Sequence, residues 1–216
     1  MINSKVEHCK TLEEFYEEIR RQQEEAHGED YCAQHLALQK LMKECRSYRE
    51  LGTHQGGTAA CAMLCNPSTV DLVDISLEKY NKSKHLFEEY AERNNIRLKT
   101  HEMSSTDVNS RGPCDLLLID SLHHPNHLNK ELHVHADYVR KYIILHDTEV
   151  LHGKPNTALY QVAELFCGQI NPWVIKERNQ KNLLRVPLDH SFYRKLFSLL
   201  YKLEPTSQSL TSSMIP

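Results

Sequence analysis

The residues with the most chemical potential stand where predicted strands end. Residues 50–58 read E-L-G-T-H-Q-G-G-T, between a short strand over 47–51 and a helix starting at about Thr58. Gly52, Gly56 and Gly57 let the backbone turn sharply and leave bare N–H groups at a helix N-terminus, where a ligand can lie against the chain. Asp74, at the end of the next strand, is spaced to receive a pair of ribose hydroxyls. Asp120 ends the run D-L-L-L-I-D and His123 follows it, and His146 and Asp147 follow Y-I-I-L.

The glycine spacing narrows the ligand. A dinucleotide-binding turn reads G-x-G-x-x-G and holds a pyrophosphate on its helix. Here the order is E-x-G-x-x-x-G-G, looser, with a carboxylate two residues ahead of the first glycine. That carboxylate repels a pyrophosphate and favours a cationic, phosphate-free ligand. S-adenosylmethionine carries such charge on its α-ammonium and sulfonium groups.

These positions need a scaffold. Residues 11–26 predict a helix, with Thr11 and Glu14 as a capping-box pair and Leu12, Phe15, Tyr16 and Ile19 on one face. A second helix is expected from about Asp30 to Cys45, burying Leu38, Leu41, Met42 and Cys45. Strands then follow over 47–51, 70–75, 97–102, 115–120 and 141–146. Between them, Ser76 caps a helix running to about Arg93, and Pro125 opens one that turns Leu128, Leu132, Ala136 and Val139 inward. A loop over 151–156, a helix over 158–166, an antiparallel hairpin of strands 173–178 and 183–186, and a helix over 189–203 complete the pattern.

Apolar strands separated by helices predict an α/β, Rossmann-like fold. The expected sheet is seven-stranded and mostly parallel, with an antiparallel last hairpin and helices on both faces. Residues 1–45 form an N-terminal helical extension, 46–204 the ligand-binding domain, and 205–216 a disordered tail. Ligands of such sheets bind beyond the carboxyl ends of the strands, so the residues above are expected to be neighbours.

The composition agrees with a globular chain of one domain: 216 residues, 40% hydrophobic and 25% charged. A formal net charge of −3 argues against a broad phosphate-binding surface, and so against a nucleic-acid partner. No apolar run approaches the ~20 residues of a membrane span, and residues 1–20 lack the core of a signal peptide. A cytoplasmic location is expected. The seven cysteines form no C-x-x-C pair, which fits reduced thiols rather than a zinc or redox centre.

Residues 46–186 resemble a class I S-adenosylmethionine-dependent methyltransferase, most closely the cephalosporin-hydroxylase-like and macrolide-sugar O-methyltransferases. ELGTHQGGT is similar to the first motif of that group, VDLVDIS to the second, DLLLIDSLH to its D-x-x-x-I-D-x-x-H strand end, IILHDT to its fifth strand, and ERNQKNLLRV to its reversed last strand. The resemblance implies that Glu50, Gly52, Thr53, Gly56, Gly57 and Thr58 surround the methionine part and sugar of the cofactor. It implies that Asp74 binds the ribose, that Ser104 and Ser105 lie at the adenine edge, and that Asp120 sits near the transferred methyl group.

In metal-dependent members of the group, the residue matching Asp120 binds a divalent ion and the position three residues on carries the general base. The resemblance therefore implies Asp120 and His123 as catalytic residues, with Asp120, His146 and Asp147 as metal ligands. A hydroxyl attacking a sulfonium methyl must lose its proton, which an imidazole with a pKa of about 6.5 is suited to take. A bound Mg or Mn lowers the hydroxyl's own pKa. Macrolide-sugar enzymes have two adjacent carboxylates after the fifth strand, where this chain has His146-Asp147, a pair better suited to manganese, iron or zinc than to magnesium. Thr148 offers an alternative oxygen, and a metal-free site with His146 as a hydrogen-bonding residue stays open. His127, His133 and His135 are read as solvated positions on the helix after Pro125.

The expected activity is methyl transfer to a hydroxyl of a small molecule, a sugar or a phenol-like compound. The open alternatives are a cofactor-binding module without methyl transfer, a methyltransferase acting on a macromolecule, and an NAD-dependent dehydrogenase. The second is weakened by D-S-L-H where amino-group methyltransferases carry Asn/Asp-Pro-Pro-aromatic, and the last by the glycine spacing and Glu50. A homo-oligomer is compatible with the sequence, which carries no readable code for the acceptor.

Overall fold

The computed structural model describes residues 5–27, 33–147, 150–151, 154–155, 157–168, 173–178 and 201–205. Five parallel strands form its centre: β1 (Ser47–Leu51), β2 (Thr69–Asp74), β3 (Arg97–Glu102), β4 (Cys114–Ile119) and β5 (Val139–Leu145). Their order is β3-β2-β1-β4-β5. β1 and β4 are buried along their whole length, whereas β3, at the edge, is largely polar and exposed. The chain winds outward from β1 through β2 to β3, then crosses back to place β4 on the other side of β1. The loops after β1 and β4 therefore diverge, leaving the crevice in which such sheets bind ligands.

Helices cover both faces. α1 (Leu12–His27), α2 (Ala33–Met42), α3 (Gly57–Met63), α4 (Glu78–Asn81) and α5 (Lys84–Arg93) share one core with Tyr48, Leu72, Leu116 and Ile144. The opposite core joins α6 (Pro125–His135) and α7 (Ala158–Gly168) to Leu51, Val73, Leu117 and Ile143. Successive strand residues thus divide between the faces, as the pleat requires. α1 begins as expected, its Glu14 N–H donating to Thr11 Oγ1 at 3.2 Å. Leu12, Phe15 and Ile19 are buried, so the N-terminal helices belong to the main core.

The structure departs from expectation in four places. The single helix expected from Ser76 to Arg93 is two, α4 and α5, because Ser83 donates from both N–H and hydroxyl to Tyr80 O and ends the first. The expected loop over 151–156 contains a short antiparallel pair, β6 (Val150–Leu151) and β7 (Lys154–Pro155). After α7, β8 (Trp173–Arg178) pairs antiparallel with β9 (Tyr201–Pro205), and β9 pairs antiparallel with β5. Residues 201–203, expected to end a helix, and Pro205, expected to open a disordered tail, are therefore in a strand. The expected strand 183–186, most of the helix 189–203 and the tail 206–216 lie outside the described residues, as does Thr148. No described helix is long and apolar enough to cross a membrane.

Candidate active site

The backbone ladder continues past the strand ends and assembles the site. The Gly52 N–H donates to Val73 O at 2.8 Å, Asp120 N–H to Leu51 O at 2.9 Å, and His146 N–H to Ile119 O at 3.0 Å. Each bond sets one strand-end residue beside the next strand, so Gly52, Asp120 and His146 follow one another across the crevice.

The turn after β1 is built by left-handed residues: Gly52 has φ 91°, His54 51° and Gly56 88°. A Cβ on Gly52 would fall 2.0 Å from Asp120 O, and one on Gly56 would fall 2.8 Å from Phe87 Cζ. Glycine at 52 is thus what lets the β1 turn and the β4 end touch, while Gly56 seats α3 against α5. Gly57 meets Ile19 of α1 in the same way. Asp74 accepts the His54 N–H at 2.7 Å and the Ser76 N–H at 3.1 Å, tying the turn to the end of β2. Half-buried, it keeps lone pairs for further donors.

Glu50 is fully buried. Its Oε2 accepts the Tyr48 hydroxyl at 2.7 Å, but Oε1 has no partner, and neither has the buried Thr53 Oγ1. Burial pushes the Glu50 carboxyl up to about 8, with Asp120 and Asp74 adding to the rise and the Tyr48 and Thr58 hydroxyls opposing it. A carboxyl held neutral beside two other carboxylates is a place that a cationic group completes. The residues of the turn fit a ligand bearing positive charge.

Four side chains gather at the ends of β4 and β5. His123 Nε2 is 3.0 Å from Asp120 Oδ1 and 3.5 Å from Asp147 Oδ2. His146 Nδ1 is 3.1 Å from Asp120 Oδ1 and 3.3 Å from Asp147 Oδ1, without hydrogen-bond geometry to either. Asp147 reaches both rings from a left-handed backbone, φ 50°, a strain that marks functional sites more often than ordinary turns. Burial works against charge on Asp120, yet His146 and His123 outweigh it and hold that carboxyl well below the usual range. In return, Asp120 raises His123, and Asp120 with Asp147 lifts His146 to about 10 against the opposing effect of burial.

Ligand atoms of Asp120, His123 and His146 lie within 4.8 Å of one another. The mixed nitrogen and oxygen set is of a kind that can hold a divalent cation. His123, the base expected from sequence, lies in the same cluster as the expected ligands.

Ser104 and Ser105 follow β3. The Ser104 hydroxyl pairs with Thr106 at 2.9 Å, and the buried Ser105 hydroxyl with His127 Nε2 at 3.0 Å. His127 Nε2 also lies 3.3 Å from Glu131, which accepts the Ser121 hydroxyl at 2.5 Å. This network joins the loops after β3 and β4.

The expectation of solvated histidines holds for His133, is partial for His127 and is wrong for His135. His135 is buried, its Nε2 lies 2.7 Å from Ser105 O, and burial lowers it to about 4. The apolar stripe of α6 did not reveal it, because its partners come from the loop after β3. Sequence reasoning also passed over Gln34, whose Oε1 is 2.8 Å from His146 Nε2. Ile75, next to Asp74, and Leu122, two residues past Asp120, are 75% and 63% exposed, large apolar side chains close in sequence to two site carboxylates.

No protein-family profile matches the chain, and no curated protein matches it. Solved structures do. An O-methyltransferase from Bacillus cereus in complex with SAH is similar over 67% of this chain and 72% of its own, at 17% identity and a TM-score of 0.50. The O-methyltransferase TomG from Streptomyces achromogenes, involved in tomaymycin synthesis and solved with SAM, is similar over 82% and 79%, at 10% identity and 0.52. A Pyrococcus horikoshii protein assigned as an RNA methyltransferase is similar over 84% of both chains, at 14% identity and 0.51. The chain shares the α/β fold of these methyltransferases, with its central parallel sheet.

Proposed function

We propose that the protein transfers a methyl group from S-adenosylmethionine to a hydroxyl of a small molecule, a sugar or phenol-like compound, at a site holding Mg or Mn. One observation carries the reading. At the crossover between β1 and β4, a buried carboxyl with one oxygen unpartnered stands behind the turn that leads to the Asp120–His123–His146–Asp147 cluster.

In this reading, Glu50 and Thr53 receive the cofactor's cationic end and Asp74 its ribose, while Ser104 and Ser105 border the adenine. Asp120, His146 and Asp147 would hold the cation, which would lower the pKa of an acceptor hydroxyl. His123, beside Asp120, takes that hydroxyl's proton, and the carboxylates keep the resulting imidazolium paired. Fixing acceptor and donor in line contributes roughly 7–11 kcal/mol toward the barrier in well-oriented systems. The sheet is completed to seven strands by the antiparallel β8 and β9. The thiols of Cys9, Cys61, Cys65 and Cys114, outside any disulfide, support a reducing, cytoplasmic location. The subgroup of cephalosporin-hydroxylase-like and macrolide-sugar enzymes supplies the first acceptors to try.

The test is incubation of the protein with S-adenosylmethionine and a panel of catechols, phenols and sugars, with manganese or with chelator, following S-adenosylhomocysteine. Product that depends on acceptor and falls with chelator is expected. Product equal with and without chelator would remove the metal, and cofactor binding without any transfer would leave a binding module.

A further inference from the structure

We infer that Gln34, on a helix far from the strand ends in sequence, is a positioning residue of the cation site. It holds the His146 ring with Nδ1 turned toward Asp120 and Asp147. The inference rests on reading that cluster as a cation centre.

Gln34 is buried, and its Oε1 lies 2.8 Å from His146 Nε2, across 112 residues of chain. An amide oxygen can only accept, so the hydrogen of this contact belongs to Nε2. With Nε2 donating, the lone pair of a neutral ring is on Nδ1, the atom 3.1 Å from Asp120 and 3.3 Å from Asp147. A metal-binding imidazole is commonly oriented in this way, by a partner that receives its second N–H.

The position of Gln34 is itself fixed by packing. Leu38 and Met42, one and two turns further along α2, are buried in the core. The carbonyl of His35 accepts the Cys61 thiol of α3 at 3.6 Å, and the His35 ring lies 5.5 Å from that of Tyr16. α2 is therefore held on both α3 and α1, and the amide reaches the end of β5 from a rigid element. Being uncharged, Gln34 orients His146 without adding a third carboxylate beside Asp120 and Asp147. The residues before β1 thus help to build the centre.

The test is cobalt titration of the full chain, read by visible absorption, for the wild type, Gln34→Leu and Gln34→Glu. Calorimetry of S-adenosylmethionine on the metal-free proteins serves as the control. Gln34→Leu is expected to weaken cobalt binding about 10- to 100-fold and to alter the absorption bands, with cofactor affinity kept within about threefold. Gln34→Glu, which retains an acceptor for the Nε2 hydrogen, is expected to bind cobalt within about threefold of the wild type. If Gln34→Leu does not fold, Gln34→Asn, which withdraws the amide by one methylene, carries the same expectation. Wild-type affinity in Gln34→Leu, or equal weakness in Gln34→Glu, would overturn the positioning role alone. A wild type that binds no cobalt would overturn the cation centre and this inference with it.

Discussion

Replacing Glu50 with glutamine should make the cofactor-free protein more stable and the cofactor bind less well. Glu50 is fully buried, with one oxygen bonded to Tyr48 and the other unpartnered, and its carboxyl is pushed up to about 8 from an ordinary 4.5. A raised acid has a definite sign. Below about pH 4.5 the carboxyl is neutral in both the folded and unfolded chain, and Glu50 costs nothing by ionisation. As pH rises toward 8 the unfolded chain gains a solvated carboxylate that the folded chain resists, so stability drains away. Each tenfold step in proton affinity is worth about 1.4 kcal/mol, for a total of roughly 5 kcal/mol by pH 8. Glu50→Gln keeps the shape and the Tyr48 contact but not the titration. Its stability advantage should grow from near zero at acid pH to several kcal/mol in mild alkali. The same change removes the carboxyl that ionises against the cofactor's cationic end, at roughly 1.5–3 kcal/mol, or about 10- to 100-fold in affinity. Urea melts at several pH values and calorimetry with S-adenosylmethionine measure the two effects. A variant no more stable than wild type at pH 8, or one that binds the cofactor equally well, would refute the reasoning.

Two other changes probe the remaining parts of the crevice. His123→Ala should lower methyl transfer roughly 10²- to 10⁴-fold while S-adenosylmethionine still binds, and an unchanged rate would remove His123 as the base. Gly52→Ala should cost roughly 3 kcal/mol or more, because its Cβ would meet Asp120 O at 2.0 Å from a left-handed backbone. An unchanged urea midpoint would show that β1 and β4 do not meet as described.

What was legible in the sequence was what depends on local pattern. β4, β5 and the inward face of α6 follow from runs of apolar residues and from Pro125 at the helix start, and the end of β1 from the turn chemistry of Gly52. The gathering of Asp120, His123, His146 and Asp147 followed from one topological rule, that parallel strands deliver their ends to one edge. Contacts between distant elements were not legible. Gln34 meets His146 only because α2 is seated on α3, and His135 is buried only because the loop after β3 folds over it. Periodicity reports which face of a helix is apolar, and both residues are polar. The break between α4 and α5 was missed for a local reason, since the bonding of Ser83 back to Tyr80 competes with the helix that Ser76 to Arg93 otherwise favours.

Calorimetric titration of the wild-type chain with S-adenosylmethionine and, separately, with NAD is the most direct test of the central claim. The carboxylate behind the wide glycine turn selects a cationic, phosphate-free cofactor. Saturable heat with S-adenosylmethionine and none with NAD is the predicted result. Saturable binding of NAD with none of S-adenosylmethionine would contradict it.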